Sequence, residues 1–134
     1  MQPHGLVALV TLLALITYLA FGINVGRMHH KTGIHAPTMT GDPRLERAVR
    51  IQTNTLEWLP IFLGSMWLFA IYWNDEWAAT LGVFWIFGRI VYAAGYTADP
   101  ARRAPGFLIQ ALATLALLLG ALGRVIYVLT AVHA

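Results

Sequence analysis

Residues 47–73 read RAVRIQTNTLEWLPIFLGSMWLFAIYW, and this stretch decides the fold. Its second half is apolar enough for the hydrocarbon core of a membrane. Its first half carries polar residues at spacings i, i+3, i+7 and i+10, namely Arg47, Arg50, Asn54 and Glu57. These spacings place all four side chains on one face of a helix. Charges at membrane depth are costly and persist where they pair or line a cavity. The stripe therefore predicts that one face of this membrane helix contributes to a site for a small zwitterionic ligand.

The composition indicates a membrane protein. Of the 134 residues, 58% are hydrophobic and 11% are charged, and the long uncharged runs are typical of membrane spans. We predict a single domain over 1–134, an all-α antiparallel bundle of four transmembrane helices with spans at 5–27, 43–73, 76–97 and 105–132. Asp42 and Pro43 form a good start for the second helix. The first span has no basic segment before it and is long for a signal peptide, so we expect it to remain as a membrane helix.

The basic residues predict the orientation. The Lys and Arg residues outside the spans lie between spans one and two and between spans three and four, whereas the remaining loop carries Asp75 and Glu76. Cytoplasmic loops carry an excess of Lys and Arg. We therefore expect both termini to be exterior or lumenal and both basic loops to be cytoplasmic. Because the net charge of +3 follows from this bias, no nucleic-acid partner is expected.

The chain contains no cysteine, which excludes disulfides, cysteine nucleophiles and thiolate metal sites. Any thiol chemistry must use a thiol that a ligand supplies. The predicted loop 28–41 carries His29, His30 and His35, but these histidines lack helical spacing and an accompanying pair of carboxylates. No metal site is expected.

A second polar stripe lies in span three, where Arg89, Tyr92 and Tyr96 share one helix face. Both spans leave the same turn at 74–75. Glu57 lies about 25 Å from that turn and Arg89 about 21 Å, at a rise of about 1.5 Å per residue. We therefore predict that Glu57 and Arg89 lie at one level in the cytoplasmic half, with the remaining members of each stripe also at matching levels.

With Arg102 and Arg103 below them, the two stripes predict a basic pocket with one anionic wall. One interpretation is a structural cluster in which Glu57 neutralises Arg89. The alternative is a ligand with two or more carboxylates and one ammonium. Arginine binds a carboxylate through two parallel hydrogen bonds, Glu57 suits the ammonium, and Asn54 and the tyrosines suit peptide amides. Glutathione has this pattern, and it supplies the missing thiol.

Two segments resemble a known family. Residues 46–57 (ERAVRIQTNTLE), followed by Pro60, resemble the second-helix signature of the MAPEG family, the membrane-associated proteins in eicosanoid and glutathione metabolism. Residues 88–96 (GRIVYAAGY) resemble its third-helix signature. The similarity extends from about Asn24 to Gly120 and includes the TGDP entry to helix two at 40–43. An arginine, an asparagine and a glutamate at these spacings are rare in a membrane helix, so the second-helix pattern is specific.

The resemblance implies a homotrimer of four-helix bundles that binds glutathione between neighbouring subunits near the cytosol. It implies a glutathione transferase or peroxidase of detoxification, which acts on lipophilic electrophiles or lipid hydroperoxides that enter from membrane lipid. Glutathione is then a co-substrate. The thiolate-stabilising arginine is Arg103 when one counts from Tyr96, and Arg102 when one counts back from Ala104. The positions that match glutathione ligands are Arg50, Asn54, Glu57, Arg89, Tyr92 and Tyr96, with Gln52 and Arg27 as further candidates.

Two other functions are consistent with four spans. A non-catalytic lipid-binding or scaffold protein, as in one branch of the family, has no use for the full set of buried polar residues. A small transporter or channel subunit is disfavoured because the polar stripes stop in the cytoplasmic half. Some prostaglandin synthases of the family carry a serine after the thiolate arginine, where this chain has Ala104 or Pro105. A prostaglandin-specific mechanism is therefore not expected.

Overall fold

The computed structural model describes residues 3–133 and contains four long helices. All four are long and apolar enough to cross a membrane. This confirms the all-helical architecture and the four helices that the hydropathy pattern predicts. A short 3-10 turn at Pro100–Arg103 precedes the last helix. The helices are α1 Gly5–Thr32, α2 Pro43–Tyr72, α3 Asp75–Ala98 and α4 Ala104–His133.

Side-chain caps define the starts of α2 and α3. Asp42 precedes α2 and its carboxylate accepts a 2.8 Å hydrogen bond from the backbone N–H of Arg44. The side chain of Arg44 also donates to Asp42, which holds the pKa of that carboxyl below its usual range. Asn74 caps α3 by accepting a 2.8 Å bond from the N–H of Trp77. Caps of this kind satisfy donors that the first helical turn leaves unpaired.

Helix α1 is longer than the predicted span, and the predicted loop 28–41 is correspondingly shorter. The helix continues to Thr32 and ends at Gly33, which has a φ of 72° and whose N–H bonds to the carbonyl of His29. Glycine adopts this left-handed conformation without a steric penalty. The apolar run ends earlier because Arg27 and residues 29–32 are polar, but basic residues are favourable in the last turn of a helix. The helix therefore extends beyond the apolar segment.

Helices α2 and α3 lie at the centre of the bundle, and α1 and α4 each pack against both of them. The core contains stacked rings of Phe62 and Trp85, whose centroids are 4.1 Å apart. Many other large apolar side chains point outward; Leu19 is 61% exposed and Leu119 is 60% exposed. A continuous apolar exterior of this kind is unfavourable in water and suits hydrocarbon.

A close approach of α3 and α4 positions the residues of the candidate site. A Cβ atom on Gly106 of α4 would overlap the backbone of Tyr92 on α3, and one on Gly88 would lie 2.7 Å from the backbone nitrogen of Gln110. Small residues at helix–helix contacts allow backbones to approach closely in membrane proteins. The contact at Gly106 therefore sets the distance between Tyr92 and the beginning of α4.

Candidate functional site

A cavity of about 420 Å³ lies between α2, α3 and the beginning of α4. Its volume is within the range of about 300–1,000 Å³ that is typical of small-molecule sites. Its walls combine two guanidinium groups, one amide, two phenols and an apolar patch. The lining residues are Arg50, Asn54, Tyr92, Tyr96, Arg103, Ala104 and Phe107.

The side chains of Arg102 and Arg103, the two residues before the start of α4 at Ala104, point in different directions. Arg103 lines the cavity, and its Cζ lies 5.7 Å from the ring centroid of Tyr96. Arg102 does not line it, and the backbone of Arg102 packs against Gly95 of α3. The 3-10 turn fixes this difference, because Asp99 caps it with a 3.0 Å hydrogen bond from the N–H of Ala101. Of the two sequence candidates, Arg103 is the one at the cavity.

Arg50 and Glu57 form an ion pair along the outer side of α2. Nη1 of Arg50 donates to Oε1 of Glu57 at 3.1 Å. Both side chains are about half exposed, at 50% and 53%. Arg50 lines the cavity, whereas Glu57 is not one of its lining residues and lies half exposed beside Arg50.

Arg89 is fully buried and binds Asn54 rather than Glu57, so the structure does not show the cluster in which Glu57 neutralises Arg89. Its Nη1 donates to Oδ1 of Asn54 at 2.7 Å and to Oγ1 of Thr55 at 3.3 Å. Glu57 pairs with Arg50 instead. The backbone rise predicts only the level of each residue, and an arginine side chain reaches several ångströms from its Cα, far enough to bind an amide one turn away. This arrangement leaves the carboxylate of Glu57 about half exposed at the surface of the chain.

The guanidinium of Arg89 lies against aromatic rings and does not line the cavity. Its Cζ is 4.9 Å from the ring centroid of Tyr92 and 5.6 Å from that of Trp85. Cation–π contacts of this length are attractive. Within residues 3–133, its Nε and Nη2 have no hydrogen-bond partner. Arg89 therefore contacts two lining residues, Asn54 and Tyr92, and holds them in place.

Two sequence candidates lie away from this cavity. The side chain of Gln52 faces α1, where its Nε2 would lie 3.1 Å from a Cβ on Gly22. Arg27 is exposed near the end of α1. The position of Gln52 follows from helical geometry, because a residue two positions after Arg50 lies on the other side of the helix.

Sequence reasoning missed several residues at the site. Phe107 and Ala104 form its apolar wall, and Gln110 is fully buried one turn further along α4. The amide of Gln110 has no hydrogen-bond partner among the described residues. A single amide in the apolar run after Pro105 was an available signal, because buried polar side chains in a membrane helix are rare.

The arrangement can hold an anionic ligand with peptide groups. Guanidinium groups bind carboxylates and stabilise anions, and Asn54 and the two phenols can bond to amides. The apolar wall continues from Phe107 to Trp58. The ring centroids of these two residues are 5.5 Å apart, in an edge-to-face contact. A polar ligand bound here would therefore have one end beside an apolar surface.

Comparisons with known proteins agree with this architecture. A sequence model of the MAPEG family matches residues 6–131. The chain is 45% identical over 120 residues to an uncharacterised protein of Synechocystis sp., covering 90% of this chain and 88% of that protein. It is 38% identical over 120 residues to microsomal glutathione S-transferase 2 of Homo sapiens, covering 88% and 81%. It is 35% identical over 122 residues to leukotriene C4 synthase of Cavia porcellus, covering 85% and 81%. The chain has four helices of membrane length, and the family match covers nearly all of it. The protein is therefore a multi-pass membrane protein of the MAPEG family.

Proposed function

We propose that the protein is a membrane-embedded glutathione transferase, with glutathione peroxidase activity, that acts on lipophilic electrophiles and lipid hydroperoxides. The observation that carries the proposal is the cavity in which Arg50 and Arg103 flank an amide and two phenols beside an apolar wall. The names of two relatives, a glutathione S-transferase and a leukotriene C4 synthase, support a conjugating enzyme.

The lining residues fit the functional groups of glutathione. Arg50 suits a carboxylate, since a guanidinium can donate two parallel hydrogen bonds to it. Asn54 and Tyr92 suit the peptide amides of the ligand. The Oε1 atom of Glu57 accepts from Arg50, and Oε2 can accept from the ammonium. Arg89 acts as a positioning residue, because it contacts Asn54 and Tyr92 but not the cavity.

Arg103 is the proposed source of thiolate stabilisation. A free thiol has a pKa of about 8.5, so only a few per cent is ionised at neutral pH. Lowering that pKa to about 6.5 corresponds to about 2.7 kcal/mol of preferential stabilisation of the anion. A guanidinium beside the sulfur can supply this stabilisation, and it makes the nucleophilic form dominant at pH 7.

The thiolate then attacks a substrate that approaches along the apolar wall. With an electrophilic carbon, a sulfur–carbon bond forms and the leaving group departs with the bonding electrons. With a lipid hydroperoxide, sulfur attacks the terminal peroxide oxygen and the O–O bond breaks, which gives a sulfenic acid and a lipid alkoxide. The alkoxide takes up the proton that the thiol released and leaves as an alcohol. A second glutathione converts the resulting sulfenic acid to glutathione disulfide and water. Holding both reactants at the wall provides proximity.

A homotrimer would complete the site. Arg50 and Glu57 are half exposed at the surface of the protomer, and Gln52 and Arg27 lie on its α1 side, away from the cavity. In a trimer, the face of one copy where Gln52 of α2 meets α1 would close the open side of the cavity in the next. The site would face the cytoplasm, with both termini on the exterior or lumenal side, as the basic loops predict.

Turnover tests the proposal directly. The purified protein, with glutathione and either an aryl halide or a lipid hydroperoxide, should form the conjugate or the alcohol. Arg50→Ala should raise KM for glutathione, whereas Arg124→Ala should leave turnover unchanged, because Arg124 lies at the other end of the bundle and donates to the carbonyl of Tyr72. Retained binding of membrane lipid with no glutathione binding and no turnover would favour the alternative, a non-catalytic lipid-binding or scaffold member.

A further inference from the structure

A second basic cavity is lined by α1, α2 and α3, whereas the candidate site is lined by α2, α3 and the beginning of α4. It has a volume of about 200 Å³ and forms where α1 ends and α2 begins. It shares no lining residue with the first cavity. Three of its lining residues, Lys31, Arg44 and Arg47, are cationic, and none is acidic.

Two of these cations have no carboxylate partner within residues 3–133. Arg44 is paired, because it donates to both oxygens of Asp42 at 3.1 Å and 2.9 Å. Arg47 donates from Nη1 to the carbonyl oxygen of Thr97 at 3.2 Å, a contact that fixes its guanidinium against the end of α3. Lys31 is exposed in the last turn of α1. The cavity therefore presents two uncompensated positive charges at one end of the apolar bundle.

An apolar groove between α1 and α3 is continuous with this cavity. The groove has a volume of about 530 Å³, and Asn24 and Thr97 line both spaces. Away from these two residues its walls are apolar, formed by Phe21 on α1 and by Ile90 and Ala94 on α3. Ile90 lies about 10 Å deeper along α3 than Thr97, at about 1.5 Å per residue. Small side chains at 93 and 94 keep the groove open.

We propose that this combined surface is a binding site for one anionic phospholipid, with the phosphate in the basic cavity and an acyl chain in the groove. A pair of unpaired cations is complementary to a lipid phosphate, and basic residues at a membrane surface attract anionic lipid. The groove lies on the hydrocarbon side of the cations, where the acyl chain of such a lipid must run. The site does not depend on the proposed glutathione chemistry, since the two cavities are separate.

Native mass spectrometry of the full chain, released from neutral detergent micelles, tests the proposal. The micelles contain equal amounts of dioleoyl phosphatidylglycerol and dioleoyl phosphatidylcholine. We expect one phosphatidylglycerol per chain to be retained in preference to phosphatidylcholine. Lys31→Gln should lower the affinity for phosphatidylglycerol about fivefold, the effect of one basic residue at a membrane surface. The double variant with Arg47→Gln should lose substantially more.

Matched variants separate this site from a general charge effect. Arg102→Gln removes one positive charge from the same end of the bundle, outside the basic cavity, and should retain the lipid preference. Arg47→Lys keeps the charge and should restore most of the affinity that Arg47→Gln loses. An equal loss in Arg102→Gln and Lys31→Gln, or no preference in the unmodified chain, would overturn the proposal.

The groove has its own tests. Ala94→Phe should weaken phosphatidylglycerol binding by filling the space for the acyl chain. A site for a free anion would give two results: glycerol phosphate would displace phosphatidylglycerol at equal concentration, and Ala94→Phe would have no effect on binding. Together these results would overturn the lipid assignment. Ala94→Cys introduces a unique cysteine, since the chain has none. Efficient bismaleimide cross-linking between copies at this position would identify a subunit interface and also overturn the proposal.

Discussion

Arg89 on α3 donates a 2.7 Å hydrogen bond to the side-chain oxygen of Asn54 on α2, the shorter of its two buried bonds to that helix. Asn54→Ala removes the acceptor and leaves a buried guanidinium with a poorer partner. A hydrogen bond to a charged group contributes about 1.5–3 kcal/mol, so we expect a loss of stability of that order. The measurement is thermal unfolding in detergent without ligand.

Glu57→Gln is the matched control for that substitution. Glu57 pairs with Arg50, and both side chains are about half exposed. Exposed ion pairs contribute about 0–1 kcal/mol, so the ligand-free protein should melt within about that range of the unmodified chain. A larger loss for Glu57→Gln than for Asn54→Ala would mean that Glu57, not Asn54, stabilises Arg89.

Glutathione binding should respond to Glu57→Gln more strongly than stability does. If the carboxylate accepts from the ligand's ammonium, the affinity for glutathione falls by about 1.5–3 kcal/mol, the contribution of a charge-assisted hydrogen bond. Des-amino glutathione has no ammonium, so its affinity should change far less. Isothermal titration with both ligands makes the comparison, and an equal loss for both would restrict Glu57 to orienting Arg50.

Gly106 should tolerate no side chain. A Cβ there would overlap the backbone of Tyr92, so Gly106→Ala must separate α3 from α4. Overpacking of this kind costs about 1–3 kcal/mol, and it should also weaken glutathione binding because both cavity walls move. In Gly123→Ala the new Cβ meets nothing within 4 Å, so this control should be neutral or slightly stabilising. The measurement is the unfolding temperature of each variant, and equal temperatures for the two would contradict the packing argument.

The orientation in the membrane can be tested with single cysteines. Thr38 lies in the basic loop between α1 and α2, and Glu76 lies in the first turn of α3 at the opposite end. Thr38→Cys should react with an impermeant maleimide only after the membrane is opened, and Glu76→Cys should react in intact cells. Labelling of both from the outside would contradict the positive-inside argument and the cytoplasmic position of the site.

The four helices were predictable because hydropathy and length decide which segments can span a membrane. The end of α1 was not predictable from hydropathy, because the helix continues through His29 and Lys31 after the apolar run has ended. Capping residues indicated the ends of the helices better than hydropathy did. Asp42 and Pro43 predicted the start of α2, and the left-handed residue after α1 is the glycine at 33.

At the candidate site, helical spacing brought Arg50, Asn54, Tyr92 and Tyr96 to one cavity as predicted. The partner of Arg89 was not predictable from the backbone rise, because side-chain reach is comparable to one helical turn. The choice between Arg102 and Arg103 depends on the phase of a 3-10 turn. A count of residues along the sequence does not determine that phase.

The central claim is that Arg103 stabilises the thiolate of bound glutathione, and ultraviolet thiolate absorbance tests it most directly. Glutathione added to the purified protein at pH 7 should produce a stoichiometric thiolate band. Arg103→Ala should abolish the band, while Arg102→Ala, whose side chain lies outside the cavity, should retain it. Titration calorimetry shows whether each variant still binds glutathione. A full thiolate band in glutathione-bound Arg103→Ala, or its loss in Arg102→Ala alone, would contradict the account.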